Sequence, residues 1–143
     1  MSGYRQILLA IDFNEGTERV IERALELSRH YNSRLTIMHV VEPIPVDAGS
    51  ETIVPPSLYL QQDYVKQAYD KLTELARRWD ATEVICDVAL GHTKHEILHR
   101  AEQDQTDLII VGSHGRHGLA LLLGSTANAV LHGAPCDVLA VRI

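Results

Sequence analysis

Five short apolar runs alternate along this chain with four stretches of helical periodicity, and that alternation constrains the fold more than any other feature. The runs are Gln6 to Asp12 (QILLAID), Leu35 to Val41 (LTIMHVV), Thr82 to Leu90 (TEVICDVAL), Asp107 to Val111 (DLIIV) and Asp137 to Ile143 (DVLAVRI). Continuous apolar runs of this length read as strands buried on both faces. Between them, Thr17 to Tyr31 places Val20, Ile21, Ala24, Leu25, Leu27 and Ser28 on one helical face, and Leu58 to Trp79 does the same with Tyr64, Val65, Ala68, Leu72, Leu75 and Ala76. A third helix follows the turn Gly91-His92-Thr93, with His92 or Thr93 near its cap and Ile97, Leu98 and Ala101 facing inward. A fourth runs from Ser125 to His132 and is stopped by Gly133 and Pro135. Asn14, in the turn before the first helix, is placed to cap it. Each pair of parallel strands needs a crossover, so this order predicts an α/β fold: a doubly wound, five-stranded parallel sheet with helices on both faces. The expected strand order is 3-2-1-4-5, with a topological switch between strands 1 and 4, where ligands of such sheets bind.

The 143 residues suit one domain spanning 1–143. A formal net charge of -6 gives no general drive toward nucleic acid or an anionic membrane surface. No apolar run approaches the roughly 20 residues that span a bilayer. Met1 to Gln6 lacks a charged-then-apolar leader. Cys86 and Cys136 form no Cys-x-x-Cys pair and read as buried, reduced thiols. Together these features predict a cytoplasmic protein. Glu42 to Ser57 holds four of the five prolines and reads as a long loop of functional or mobile character.

Two segments meet at the expected switch. One is Ile11-Asp12, at the end of strand 1. The other is Gly112-Ser113-His114-Gly115-Arg116-His117-Gly118, continuing through Leu119 to Leu123 into Gly124-Ser125-Thr126. Glycines let backbone N–H groups approach an anion closely. Gly124, Ser125 and Thr126 open a helix whose free N–H groups and dipole favour negative charge. Arg116 adds a charge-assisted contact, and Asp12 offers a carboxylate to a ribose, a base edge or Mg²⁺. Taken by themselves, these residues fit either a phosphate site or a plain structural turn. There is no Gly-Lys-Ser/Thr phosphate loop, no Gly-x-Gly-x-x-Gly fingerprint and no Gly-x-Ser-x-Gly elbow.

The chain resembles the universal stress protein family over almost its whole length. The resemblance lies in ILLAIDFNEGTERVIERALELSR, HVVE, GHTKHEIL, DLIIVGSHGR and LLLGSTANAVLHGAPCDVLAV. It implies a stress-response regulatory protein with the same five-stranded fold and, in one branch, an ATP or AMP site carrying a Gly-x2-Gly-x9-Gly-Ser/Thr motif. By position, Gly112, Gly115 and Gly124 are then the glycines, with Ser125 and Thr126 at the phosphates and Asp12 and Val41 along the adenine and ribose. The spacer Arg116 to Leu123 has eight residues where the motif has nine. A second branch binds no nucleotide, so the alternative is a nucleotide-free, dimeric protein-interaction module. No catalytic residue is marked, and ATP hydrolysis, if any, is expected to be slow.

His95 and His99 have i, i+4 spacing without a third metal ligand and read as a solvated helix face. His39 reads as a satisfied core or boundary residue. His114 and His117 flank the glycine loop. Leu119 to Leu123 reads as packing or as a flap beside the site. In the expected order the last strand is an edge with little protective charge, which predicts a homodimer through Asp137 to Ile143.

Overall fold

A computed structural model describes residues 3–43, 57–81, 83–113 and 123–143, with the side chains of 57–60 left aside. Its elements are β1 (Gln6–Ala10), α1 (Thr17–Tyr31), β2 (Arg34–Val41), α2 (Ser57–Arg78), β3 (Ile85–Leu90), α3 (Thr93–Gln103), β4 (Leu108–Gly112), α4 (Ser125–Gly133) and β5 (Asp137–Val141). All four strand pairings are parallel and the order is β3-β2-β1-β4-β5. The expected order and switch point are therefore present.

Burial explains why Ile7 to Leu9 of β1 and Leu108 to Val111 of β4 are apolar at every position. Ile7 and Leu9 of β1 enter one core with Val20, Ile21, Ala24 and Leu25 of α1 and Leu72 and Ala76 of α2. Leu8 enters the opposite core with Ile97 and Ala101 of α3 and Ala127 and Val130 of α4. Period-two alternation thus supplies two cores from one strand, and both faces must be apolar. Each fully buried Leu or Ile contributes roughly 1.5–3 kcal/mol by leaving water. The edge strands β3 and β5 are mostly half-buried or exposed, as their more mixed sequences require.

Helix ends follow local chemistry. α1 carries Glu18 in its first turn and Arg29 and His30 in its last, each matching the helix dipole. It stops at Asn32, whose left-handed φ of 53° suits that residue type. The Asp107 carboxylate accepts the backbone N–H groups of Arg5 (2.8 Å) and Gln6 (2.9 Å), tying the start of β1 to the start of β4.

Several expectations are corrected. Asn14 does not cap α1: the N-cap position is Gly16, with φ 88° and no side-chain cap, while the Asn14 side chain donates to Asp12. Tyr64, assigned to the buried face of α2, is 42% exposed; Ala68, Leu72 and Ala76 are the buried positions. β3 begins at Ile85 rather than Thr82 because pairing with β2 starts at Thr36 opposite Ile85. The two cysteines are free and half-buried rather than fully buried, and burial raises both thiol pKa values. Most of the loop expected at Glu42 to Ser57, and Leu119 to Leu122, His114 and His117, lie outside the described residues.

Candidate functional site

A cavity of about 150 Å³ opens at the carboxyl ends of the strands, where β1 separates β2 from β4. Ala10, Ile11 and Asp12 form its floor. Val111 and Gly112 of β4, with Gly124, Ser125, Thr126 and Ala127, form one wall. His39 and Val40 of β2, with Thr93 and Ile97 of α3, form the facing wall. Thr17, Val20 and Ile143 close the α1 side.

The fold brings Asp12, Gly112, Gly124, Ser125 and Thr126 to this one cavity. Val41 is not on its wall; Val40 is. The cause is strand alternation, since Val40 belongs to the α3/α4 core and its neighbour faces the other way. Gly115 and Arg116 lie outside the described residues.

The β4 wall suits an anion. Gly124 sits at the N-cap of α4 with extended backbone (φ −60°, ψ 155°) and provides no side-chain cap. Its carbonyl accepts Asn128 N–H, so the first-turn N–H groups that follow have no partner within the helix. Ser113 secures this wall: its carbonyl accepts Gly124 N–H (2.6 Å), its N–H donates to Val141 (2.8 Å), and its hydroxyl accepts Ile143 N–H (3.3 Å). Ile143 in turn fills the hollow beside two bare glycines. A Cβ on Gly112 would lie 2.5 Å from Ile143 Cδ1, and one on Gly16 would overlap Ile143 Cγ2.

The floor ends in a strained turn. Ile11 N–H still reaches the Met38 carbonyl at 2.9 Å, continuing the β1–β2 ladder. The Asp12 carboxylate then accepts Asn14 N–H (3.0 Å) and Nδ2 (2.9 Å). Phe13 adopts φ 60°, unusual for a bulky residue. Its ring lies 4.5 Å from the His39 ring, and Lys71 Nζ sits 5.6 Å from its centroid on the α2 side.

His39, Thr93, Thr17 and Ile143 are among the wall residues not picked out as site residues from the sequence. His39 has the expected satisfying partner, with Nδ1 2.7 Å from the Ile11 carbonyl, yet its ring also lines the cavity. Thr93 donates its hydroxyl to Glu42 (2.7 Å), and its N–H reaches the same carboxylate (3.3 Å). These bonds hold the Glu42 carboxyl below the usual carboxylate range. Among the described residues no group of three or more His, Cys, Asp or Glu side chains converges on a metal position; His95 and His99 only stack, 6.3 Å apart.

A family-wide sequence model described as the universal stress protein family matches residues 3–142. This chain belongs to that family. It is 43% identical over 138 residues to universal stress protein A homolog 1 of Coxiella burnetii, covering 96% of each chain. It is 41% identical over 144 residues to that organism's homolog 2, covering 100% of this chain and 98% of the other. Among solved structures, a universal stress protein UspA from Lactobacillus plantarum superposes with a TM-score of 0.75 at 24% identity, over 99% of this chain and 100% of that one. A universal stress protein in complex with cAMP gives 0.73 at 23% identity, over 99% and 98%. A family protein from Arabidopsis thaliana with AMP bound gives 0.62 at 15% identity, over 96% and 90%. At these identities the structural matches establish the shared fold. No helix among the described residues is long and apolar enough to cross a membrane.

Proposed function

We propose that this universal stress protein is a stress-response regulator that binds an adenine nucleotide, ATP or AMP, at the cavity beside β1. The observation that carries the reading is convergence: the uncapped amino end of α4, bare Gly112 and the Asp12 carboxylate line one cavity at the switch point of the sheet. Phosphate belongs at Gly124, Ser125 and Thr126, where N–H groups and the helix dipole favour negative charge. The heterocycle then lies toward Val40 and Ile97 on the facing wall. Gly115 and Arg116 complete the anion loop in this reading. Mg²⁺ accompanying ATP would be held by the phosphates with Asp12, the carboxylate on the cavity floor. Nucleotide-bound relatives with the same fold support the assignment. We assign no catalytic residue. We place the protein in the cytoplasm, as a homodimer paired through the edge strand β5.

A second reading, a nucleotide-free interaction module, draws on the cavity itself. At about 150 Å³ it is smaller than the ~300–1,000 Å³ of most ligand pockets, with the Ile143 side chain on its wall. Two measurements separate the readings. Native mass spectrometry of freshly purified protein is expected to show co-purified AMP or ATP. Titration calorimetry is expected to show binding that weakens at least about tenfold in Gly124→Val, which crowds the helix start while its φ of −60° stays open to any residue. No heat with either nucleotide at millimolar concentration, in a folded dimer, would leave the interaction module as the function.

A further inference from the structure

The outer face of α3 carries two imidazoles that nothing else in the fold uses. His95 and His99 are both exposed and stand four residues apart, so they are neighbours on one helix face. Their rings lie side by side, with centroids 6.3 Å apart and planes within 2° of parallel. Among the described residues neither ring forms a hydrogen bond or a salt bridge. The backbone beneath them is fixed from the other side of the helix. Ile97 and Ala101 are each 1% exposed and pack in one core with Leu8 and Ile109 of the sheet. The cations of the same helix are engaged elsewhere. Arg100 bonds Asp104 (2.7 Å) and Asp87 (3.0 Å), and the Lys94 stem lies against α4 beside Gly133.

We propose that His95 and His99 form a chelating site for a divalent transition-metal ion, with Cu²⁺ bound more tightly than Ni²⁺ or Zn²⁺. This site lies outside the cavity beside β1 and does not depend on nucleotide binding. Imidazole nitrogen suits copper, nickel and zinc, whereas magnesium and calcium take oxygen ligands. One nitrogen from each ring, at a metal distance of ~2.0–2.1 Å, closes a chelate across a single helical turn. Both rings are exposed and reach that geometry by rotating about their own side-chain torsions, with the backbone left in place. Once the first imidazole has bound, the second is held beside the ion at high effective concentration, an advantage that a lone surface histidine lacks. Water fills the remaining positions, which gives the mixed nitrogen and oxygen set that Cu²⁺ accepts in tetragonal geometry. With two protein ligands the ion is exchangeable, unlike one in a closed four-ligand structural site.

Calorimetric titration of the full chain with CuCl₂, NiCl₂ and ZnCl₂ tests the site. The native protein is expected to bind Cu²⁺ most tightly, following the ordinary affinity order of these ions. The tightest Cu²⁺ binding is expected to weaken at least about tenfold in His95→Ala and in His99→Ala alike, because either change breaks the chelate. Both positions are exposed on a helix, where alanine is the most favourable residue, so the variants stay folded. His30→Ala removes an exposed histidine of α1 that has no i, i+4 histidine partner, and it is expected to match the native protein. Electron paramagnetic resonance of the bound Cu²⁺ is expected to show coupling to two nitrogens in the native protein and to fewer in either variant. Absence of Cu²⁺ binding by the native protein at millimolar ion overturns the site. So does a tightest affinity unchanged in the double variant His95→Ala/His99→Ala. A loss confined to one of the two single variants overturns it as well, since that is the behaviour of a lone ligand.

Discussion

Replacing Gly16 by alanine places a methyl group where Ile143 already sits, at a backbone φ of 88° that L-residues disfavour. Two costs arise, and a double-mutant cycle separates them. The left-handed conformation costs a non-glycine residue roughly 1–2 kcal/mol whatever surrounds it. The overlap expels the Ile143 side chain; because that residue is only half-buried, its displacement forfeits about half of a full burial, or roughly 1–1.5 kcal/mol. Gly16→Ala is therefore expected to destabilise by roughly 2–3.5 kcal/mol. In an Ile143→Gly background the overlap vanishes, and the same substitution should cost only the conformational part. The coupling energy is then about 1–1.5 kcal/mol. With 143 residues and about 2.1 cal/mol/K of unfolding entropy per residue, each kcal/mol moves the melting point by about 3 °C. Urea denaturation followed by the single tryptophan, Trp79, suits the question, because Trp79 and Gly16 line the same groove between α1 and α2. Costs that add to within about 0.3 kcal/mol would refute the wedge and free Ile143 from any part in shaping the cavity.

Glu42 gives a pH-dependent expectation. Its pKa is lowered in the folded state by the Thr93 bonds, so its contribution is present above the unfolded value near ~4.3 and is lost as pH falls through the lower folded value. Denaturation midpoints between about pH 5 and 3 should therefore fall more steeply in the native protein than in Glu42→Gln, and parallel curves would remove the bond from the picture. Light scattering on a sizing column is expected to return a dimer at micromolar concentration, and a β5 substitution such as Leu139→Lys should shift it toward monomer; a native monomer ends the β5 pairing.

The fold was legible because its strongest signals are periodic. Ile7 to Leu9 and Leu108 to Val111 are apolar at every position since each strand feeds two cores, and no helix among the described residues shares that pattern. Ends were harder. β1 is apolar through Ile11, yet the strand stops at Ala10, because the chain must turn at Asp12 and no apolarity scale registers that turn. Asn14 reads as a cap, but its amide serves Asp12 while Gly16 takes the cap position, where a side chain would collide with Ile143. For the site, glycines and hydroxyls next to a helix start were readable as anion chemistry. The facing wall was not. His39 looks like an ordinary strand residue, and only the strand order tells that its neighbour is an Ile11 carbonyl leaving the ladder. Thr93 was visible as a helix start, but its partner Glu42 lies 51 residues away.

The turn Ile11 to Gly16 is where these separate features become one mechanism of assembly. With β1 central, the segment leaving it is bordered by β2 on one side and by β4 and β5 on the other. Its first carbonyl fixes the proton on His39, its carboxylate lies on the cavity floor, and its last residue admits Ile143 from the far side. Phe13 bears the strain of that path at φ 60°, a cost of order 1–2 kcal/mol that its packing against His39 and Lys71 offsets. Strain kept at a position whose ring rests on a cavity-lining histidine is what a preorganised wall requires. It holds the imidazole in one orientation before a ligand arrives, so the orientation need not be imposed at the moment of binding.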